Sequence, residues 1–152
     1  MKTQWFVGFF LCIATITSAA EPGPFELHAV AAVASEHTKE YSEPTRGEKP
    51  EKILLDTDVL LDQTSVQSAA IGFEKDGAPT IQIKLTEEGR KALGDISTKY
   101  FGKRIGMVLD GQLQCSPVIK EPMFGGSFQI TGNFTETQAW QIIQKINQSV
   151  SR

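Results

Sequence analysis

Cysteine is almost missing from this sequence. Its 152 residues hold 2, and one of them, Cys12, lies in the apolar run near the N-terminus. A disulfide scaffold and a Cys-based zinc site are therefore excluded, and stability has to come from a hydrophobic core. Histidine is equally scarce: only His28 and His37 are present, too little for most transition-metal centres. No cofactor or metal is expected. Positive charge is not in excess either. Lys and Arg number 15 against 18 Asp and Glu, a net charge of -3, so no basic field is available to hold a polyanion and nucleic-acid binding is not expected. What is there, 40% apolar and 22% charged residues, is an ordinary globular composition, and the length suits one domain.

The first long apolar run is also the last. Lys2 is the only charge before Glu21, Trp5 to Ile16 is nearly all apolar, and small residues stand at Ser18 and Ala20. This pattern predicts a secretory signal peptide over 1–20, cut before Glu21. The stretch is shorter than the ~20 residues a bilayer core requires, which disfavours a retained anchor. Leu11 stands where lipoprotein processing wants a small residue, so Cys12 reads as a hydrophobe of the signal. The expected product is periplasmic or secreted, with no membrane insertion after cleavage and with Cys115 as its single cysteine.

Beyond the signal, 21–34 reads as an entering strand (Phe25 to Val33) and 35–52 as a polar linker or long loop. That segment carries Glu36, His37, Lys39, Glu40, Glu43, Arg46 and Glu48, with prolines at Pro44 and Pro50, and has few apolar residues to bury. A domain over 53–150 follows. Asp76-Gly77 and Asp110-Gly111 sit between alternating apolar runs, Ile81/Ile83/Leu85 after the first and Ile105/Met107/Leu109 before the second, and both predict hairpins. Thr86 with Glu87 and Glu88 starts a helix whose apolar face is Ala92, Leu93, Ile96 and Tyr100. Gly102 ends it in the left-handed conformation. Thr135 and Gln138 form a capping box, with Phe134 as its hydrophobic staple, before a helix facing inward through Ala139, Ile142, Ile143, Ile146 and Val150. The fold class is α+β: an antiparallel sheet built from hairpins, with two amphipathic helices packed on one face.

Few groupings suggest chemistry. Asp56, Asp58 and Asp62 fall on one face of a strand, but no Gly and bidentate Glu stand at calcium-loop spacing. A solvated side alternating with buried Leu55 and Val59 explains the same pattern. His28 and His37 have no triad partners at recognisable spacing, and Cys115 sits at an apolar strand position before Ser116-Pro117. Asn133-Phe134-Thr135 and Asn147-Gln148-Ser149 match the glycosylation acceptor pattern, which matters only in a eukaryotic secretory pathway. No enzyme is expected, and no catalytic residue is assigned.

The informative stretches are Leu85-Thr-Glu-Glu-Gly89, the block from Gly102 through Lys103, Arg104 and Ile105 to Asp110-Gly111, Ser116-Pro-Val-Ile119, and the block from Gly125 to Phe134. In that order they resemble the periplasmic head domain of SecD, the auxiliary membrane subunit of the bacterial Sec protein-export machinery. The resemblance runs from about Ile53 to Ile146, and Phe25 to Ala31 is similar to that domain's entering strand. It implies a surface that contacts unfolded or translocating polypeptide, with the Sec machinery as a further partner. SecD couples its head to a periplasmic base and a membrane bundle carrying the proton pathway. Neither fits in this sequence, so proton-driven pulling is not expected of it alone. The candidate polypeptide-binding residues are Met123, Phe124, Gly125, Gly126 and Phe128, adaptable apolar groups beside hinge-like glycines. The alternative for Met123 and Phe124 is burial in the core. The alternative function is a head-like domain recruited as an envelope or secreted binding protein unrelated to Sec export.

Overall fold

The computed structural model describes residues 23–44 and 49–151; the expected signal peptide lies outside them. Eight strands and two helices follow in the order β1 (Phe25–Val30), β2 (Thr38–Glu43), β3 (Glu51–Asp62), β4 (Val66–Phe73), β5 (Pro79–Leu85), α1 (Glu87–Lys99), β6 (Ile105–Leu109), β7 (Gln112–Cys115), β8 (Ser127–Thr131) and α2 (Glu136–Val150). Every strand pairing is antiparallel, so the fold is α+β. The expected single sheet is divided in two: a five-stranded sheet in the order β2-β3-β1-β6-β7 and a three-stranded sheet in the order β4-β5-β8.

The two hairpins turn where Asp-Gly pairs stand, but each belongs to a different sheet. Asp110 and Gly111 both take positive φ, 50° and 76°, the conformation a tight two-residue hairpin turn demands. One core joins the two sheets and both helices. It takes Phe25, Leu27, Ile105 and Leu109 from one sheet, Ile81, Ile83 and Ile130 from the other, Leu93 from α1, and Ala139, Ile143 and Ile146 from α2. A smaller core of Ile53, Leu55, Val108 and Leu113 lies on the opposite face of the five-stranded sheet. That face is enclosed because the sheet curls until its edge strands β2 and β7 come against each other.

The segment 35–52 is therefore not a linker or long loop. Its centre is the edge strand β2, paired with β3 from Thr38↔Asp56 to Glu43↔Glu51. An edge strand with one wet face keeps a polar sequence and still satisfies its backbone through the ladder. At its other end Glu43 is tied across the curl. Its carboxylate accepts from the Ser116 amide (2.6 Å), the Ser116 hydroxyl (2.7 Å) and Arg104 Nη2 (2.8 Å). Arg104 Nε also donates to the Ser116 carbonyl at 2.9 Å. Two smaller differences have local causes. The entering strand stops at Val30, and Val33 is exposed. Val59, expected inside, is 46% exposed, because the β1–β3 register shifts between Leu27 and Val30 and breaks the alternation.

Both helix starts form as their sequences predict. The Thr86 hydroxyl accepts from the Gly89 amide at 3.0 Å, and Thr135 and Gln138 complete a reciprocal capping box. The buried face of α1 is smaller than its apolar pattern suggests. It consists of Gly89, Leu93, Gly94 and Ser97, while Ala92, Ile96 and Tyr100 are only half-buried. The second acceptor motif also has a structural use. The Asn147 amide accepts from the Ala69 N–H (2.8 Å) and donates to the Ala69 carbonyl (2.9 Å), occupying the outer edge of β4 at that residue from α2.

Candidate functional site

The small residues on α1 decide where the connection from Pro117 to Gly126 goes. It lies along the helix from its C-terminal to its N-terminal end. Gly102 N–H donates to the Ile119 carbonyl (2.8 Å) at one end, and the Leu85 N–H donates to the Gly126 carbonyl (2.8 Å) at the other. Between them the Met123 N–H donates to Ser97 Oγ at 2.7 Å, and the same buried hydroxyl donates to the Gly94 carbonyl at 3.1 Å. A larger side chain at position 97 would fill the space that this main chain occupies.

Within that path the five candidate residues separate. The Phe124 ring lies over Gly94, where a Cβ would come within 2.9 Å of its Cδ1. Its other face is open, and the side chain is 64% exposed. Gly125 is exposed beside it, and Gly126 is half-buried near the Arg90 side chain. Met123 is half-buried and packs on the main core. Phe128 belongs to β8, opposite Ile83, and packs on the core with its ring 6.0 Å from that of Phe25. The structure thus brings Phe124 and Gly125 to the surface and turns Met123 and Phe128 inward. Two exposed apolar side chains missed in the sequence, Phe101 and Val118, flank the point where this connection meets the end of α1. The signal for the arrangement is the Gly94/Ser97 pair, whose small size on an inward helix face marks a close approach.

The other reactive groups are held in structural contacts. His28 is buried, with Nδ1 2.8 Å from the Asp56 carbonyl and Nε2 3.2 Å from a Glu26 carboxylate oxygen. Both ring nitrogens thus meet acceptors, and the Nδ1 contact pins β1 to the irregular part of β3. Burial, aided by the nearby Glu43 carboxylate, pushes the Cys115 thiol up to about 11, so it stays protonated at neutral pH and is a poor nucleophile. Asp56 Oδ1 accepts from the Asp58 amide at 3.2 Å, and Asp62 Oδ1 accepts from the Thr64 amide at 2.9 Å. The first is a local contact within β3, and the second caps the short turn Gln63–Ser65. Among the described residues, no group of three His, Cys, Asp or Glu side chains converges as a metal site. None of the helices described is long and apolar enough to cross a membrane.

The family model for the SecDF P1 head subdomain matches residues 36–148, a span that includes β2. The protein translocase subunit SecD of Dictyoglomus turgidum is 35% identical over 83 residues, covering 55% of this chain and 21% of that protein. The SecD of Rickettsia prowazekii is 34% identical over 83 residues, covering 55% of this chain and 16% of its own length. The chain thus spans about a fifth of these curated relatives. Among solved structures, that of SecDF described as a membrane component that enhances protein export superposes with a TM-score of 0.62 at 22% identity, over 80% of this chain and 60% of that one. SecDF in a super-membrane-facing form gives 0.63 at 22% identity, over 80% of this chain and 18% of that one. These structures share the fold.

Proposed function

Because this chain belongs to the SecDF P1 head subdomain family, we propose that it is a non-enzymatic binding module that assists protein export by contacting unfolded or translocating polypeptide. Its place of action in this reading is the periplasm or the outside of the cell, after removal of residues 1–20, and its larger partner is the Sec machinery. The relatives lend the export context: they are translocase subunits, and one related structure is of a component that enhances export. The observation that carries the reading is Phe124, a large aromatic that rests one side on Gly94 and stays mostly exposed. A large aromatic side chain left in water offers apolar area that a partner can bury. The commitment of His28 and Cys115 to structural contacts supports a binding role over a catalytic one.

The test is Phe124→Ser, with binding to a fluorescently labelled unfolded protein measured beside a melting curve. Binding is expected to weaken about tenfold, the equivalent of ~1.4 kcal/mol of lost apolar contact. The fold should shift by less than about 1 kcal/mol, since the ring is mostly exposed. Unchanged binding in a folded variant would remove Phe124 from the surface. A wild type that binds no unfolded protein would overturn the reading and favour the recruited-domain alternative.

A further inference from the structure

The solvent sides of the two helices differ in chemistry. Helix α1 carries six charged residues in 13, as a solvated face usually does, whereas α2 carries only Glu136 and Lys145 in 15. Carboxamides stand in their place. A groove of about 550 Å³ runs between α2 and the β6–β7 hairpin. It is lined by Gln112 and Gln114 on β7 and by Gln138, Gln141, Gln144 and Gln148 on α2, six of the chain's eleven glutamines. Asn133 adds a seventh carboxamide to the lining. The groove's two charged groups cancel: Lys145 Nζ lies 2.6 Å from Asp110 Oδ2. Gln138 Oε1 accepts from the Thr135 amide at 2.8 Å, but the side chains of Gln141, Gln144 and Gln148 make no hydrogen bond to the described residues. Each offers an acceptor and two donors.

We propose that this groove binds extended polypeptide through its main chain, with the glutamine carboxamides pairing to successive peptide N–H and C=O groups irrespective of side chain. The proposal rests on the polypeptide-contacting reading above but places a second contact away from Phe124. Three features select the ligand. Electrical neutrality disfavours nucleic acid and anionic lipid. Donors and acceptors are present together, as an amide-bearing ligand requires. The one aromatic in the lining, Phe134, is buried, so the groove lacks the exposed ring on which a sugar stacks. Dimensions agree as well. From Gln138 to Gln148 the helix rises about 15 Å, the span of roughly four or five residues of extended chain at ~3.3 Å each. Glutamines pairing with a main chain provide contact without sequence preference, which suits clients that share nothing but a backbone.

The experiment compares two unrelated uncharged peptides, labelled for fluorescence anisotropy, with the same peptides N-methylated at alternate residues. Both plain peptides are expected to bind the full-length protein with affinities within about threefold of each other, and N-methylation to weaken each about tenfold or more. Gln141→Ala/Gln144→Ala/Gln148→Ala should weaken both plain peptides to a similar degree with an unchanged melting curve, because Ala favours the helix at exposed sites. Four outcomes overturn the inference: equal binding of methylated peptides, full binding by the triple variant, a strong preference for one side-chain sequence, or chito-oligosaccharide binding in place of peptide. If Phe124→Ser abolishes binding while the triple variant binds normally, the groove is excluded and the export reading stands. If wild type binds no unfolded chain, both fall.

Discussion

Gly89 offers the sharpest test of how α1 is seated. It is the last residue of the Thr86-Glu-Glu-Gly89 motif, buried where the first turn of the helix meets the short turn Gln63–Ser65. A Cβ at this position would stand 2.3 Å from the Ser65 carbonyl oxygen and 2.9 Å from the Ser65 Cβ. That carbonyl cannot retreat cheaply, because it accepts the Thr86 N–H at 2.9 Å and so helps hold the helix start. Helix propensity alone argues that Gly89→Ala should stabilise by about 1 kcal/mol. Steric overlap argues the reverse. The contact would fall about 1 Å short of normal separation against a backbone atom, and overpacking of a rigid site costs ~1–3 kcal/mol. We place Gly89→Ala at the upper end of that range, for a net loss of about 1–2 kcal/mol. Urea denaturation should show a lower midpoint with an unchanged slope. Gly94→Ala is the matched comparator. It is also buried in α1, but its new Cβ would meet the end of the exposed Phe124 side chain at 2.9 Å, which can swing into solvent. That variant should be neutral or up to about 1 kcal/mol more stable. A Gly89→Ala midpoint at or above wild type, or an equal fall in both variants, would refute the steric account.

Asn147→Ala strips two hydrogen bonds from the Ala69 edge of β4 and should cost ~1–3 kcal/mol by denaturation, with faster aggregation at high concentration by light scattering. Cys115 makes stability depend on alkaline pH. Its thiol is raised from 9.0 to about 11, so the unfolded chain loses this proton first. The stabilisation from keeping the thiol neutral is complete below about pH 9 and is lost on the way to 11, ~2–3 kcal/mol in all. Cys115→Ala should flatten that part of the pH profile relative to wild type; parallel profiles would contradict it.

Features written in neighbouring residues are legible in the sequence alone. The Asp-Gly turns and the Thr86 and Thr135 caps depend on groups within four residues, and all form as expected. The strand β2 is not legible, because what makes it a strand is remote. Its polar sequence matches a loop until β3 supplies a ladder and Arg104 and Ser116, more than sixty residues away, receive Glu43. Val59 is misplaced by its pattern for a different reason: a register shift erases alternation without a mark in composition. The sequence locates the candidate loop but not its internal division. Whether a Phe in a loop is buried depends on the surface facing it: here Phe124 lies on Gly94 at the surface of α1, while β8 pairing turns Phe128 toward Phe25. The glutamine groove is invisible as a unit, since its residues come from a hairpin and a helix whose apposition only folding creates.

The closure of the curled sheet has a consequence for any protein that handles unstructured chains. An open strand edge is a template: an extended chain can dock there as an additional strand and is then held by a ladder of main-chain bonds. Here β2 and β7, the two edges of the larger sheet, face each other with Glu43 fastened between them, and Asn147 blocks β4 at Ala69 on the smaller one. Side chains, rather than strand edges, are what the larger sheet shows to a passing polypeptide, while β8 remains the outer edge of the smaller one. A client gripped only by side chains leaves by losing a few contacts one at a time, with no sheet to unzip, so contact can be frequent without capture.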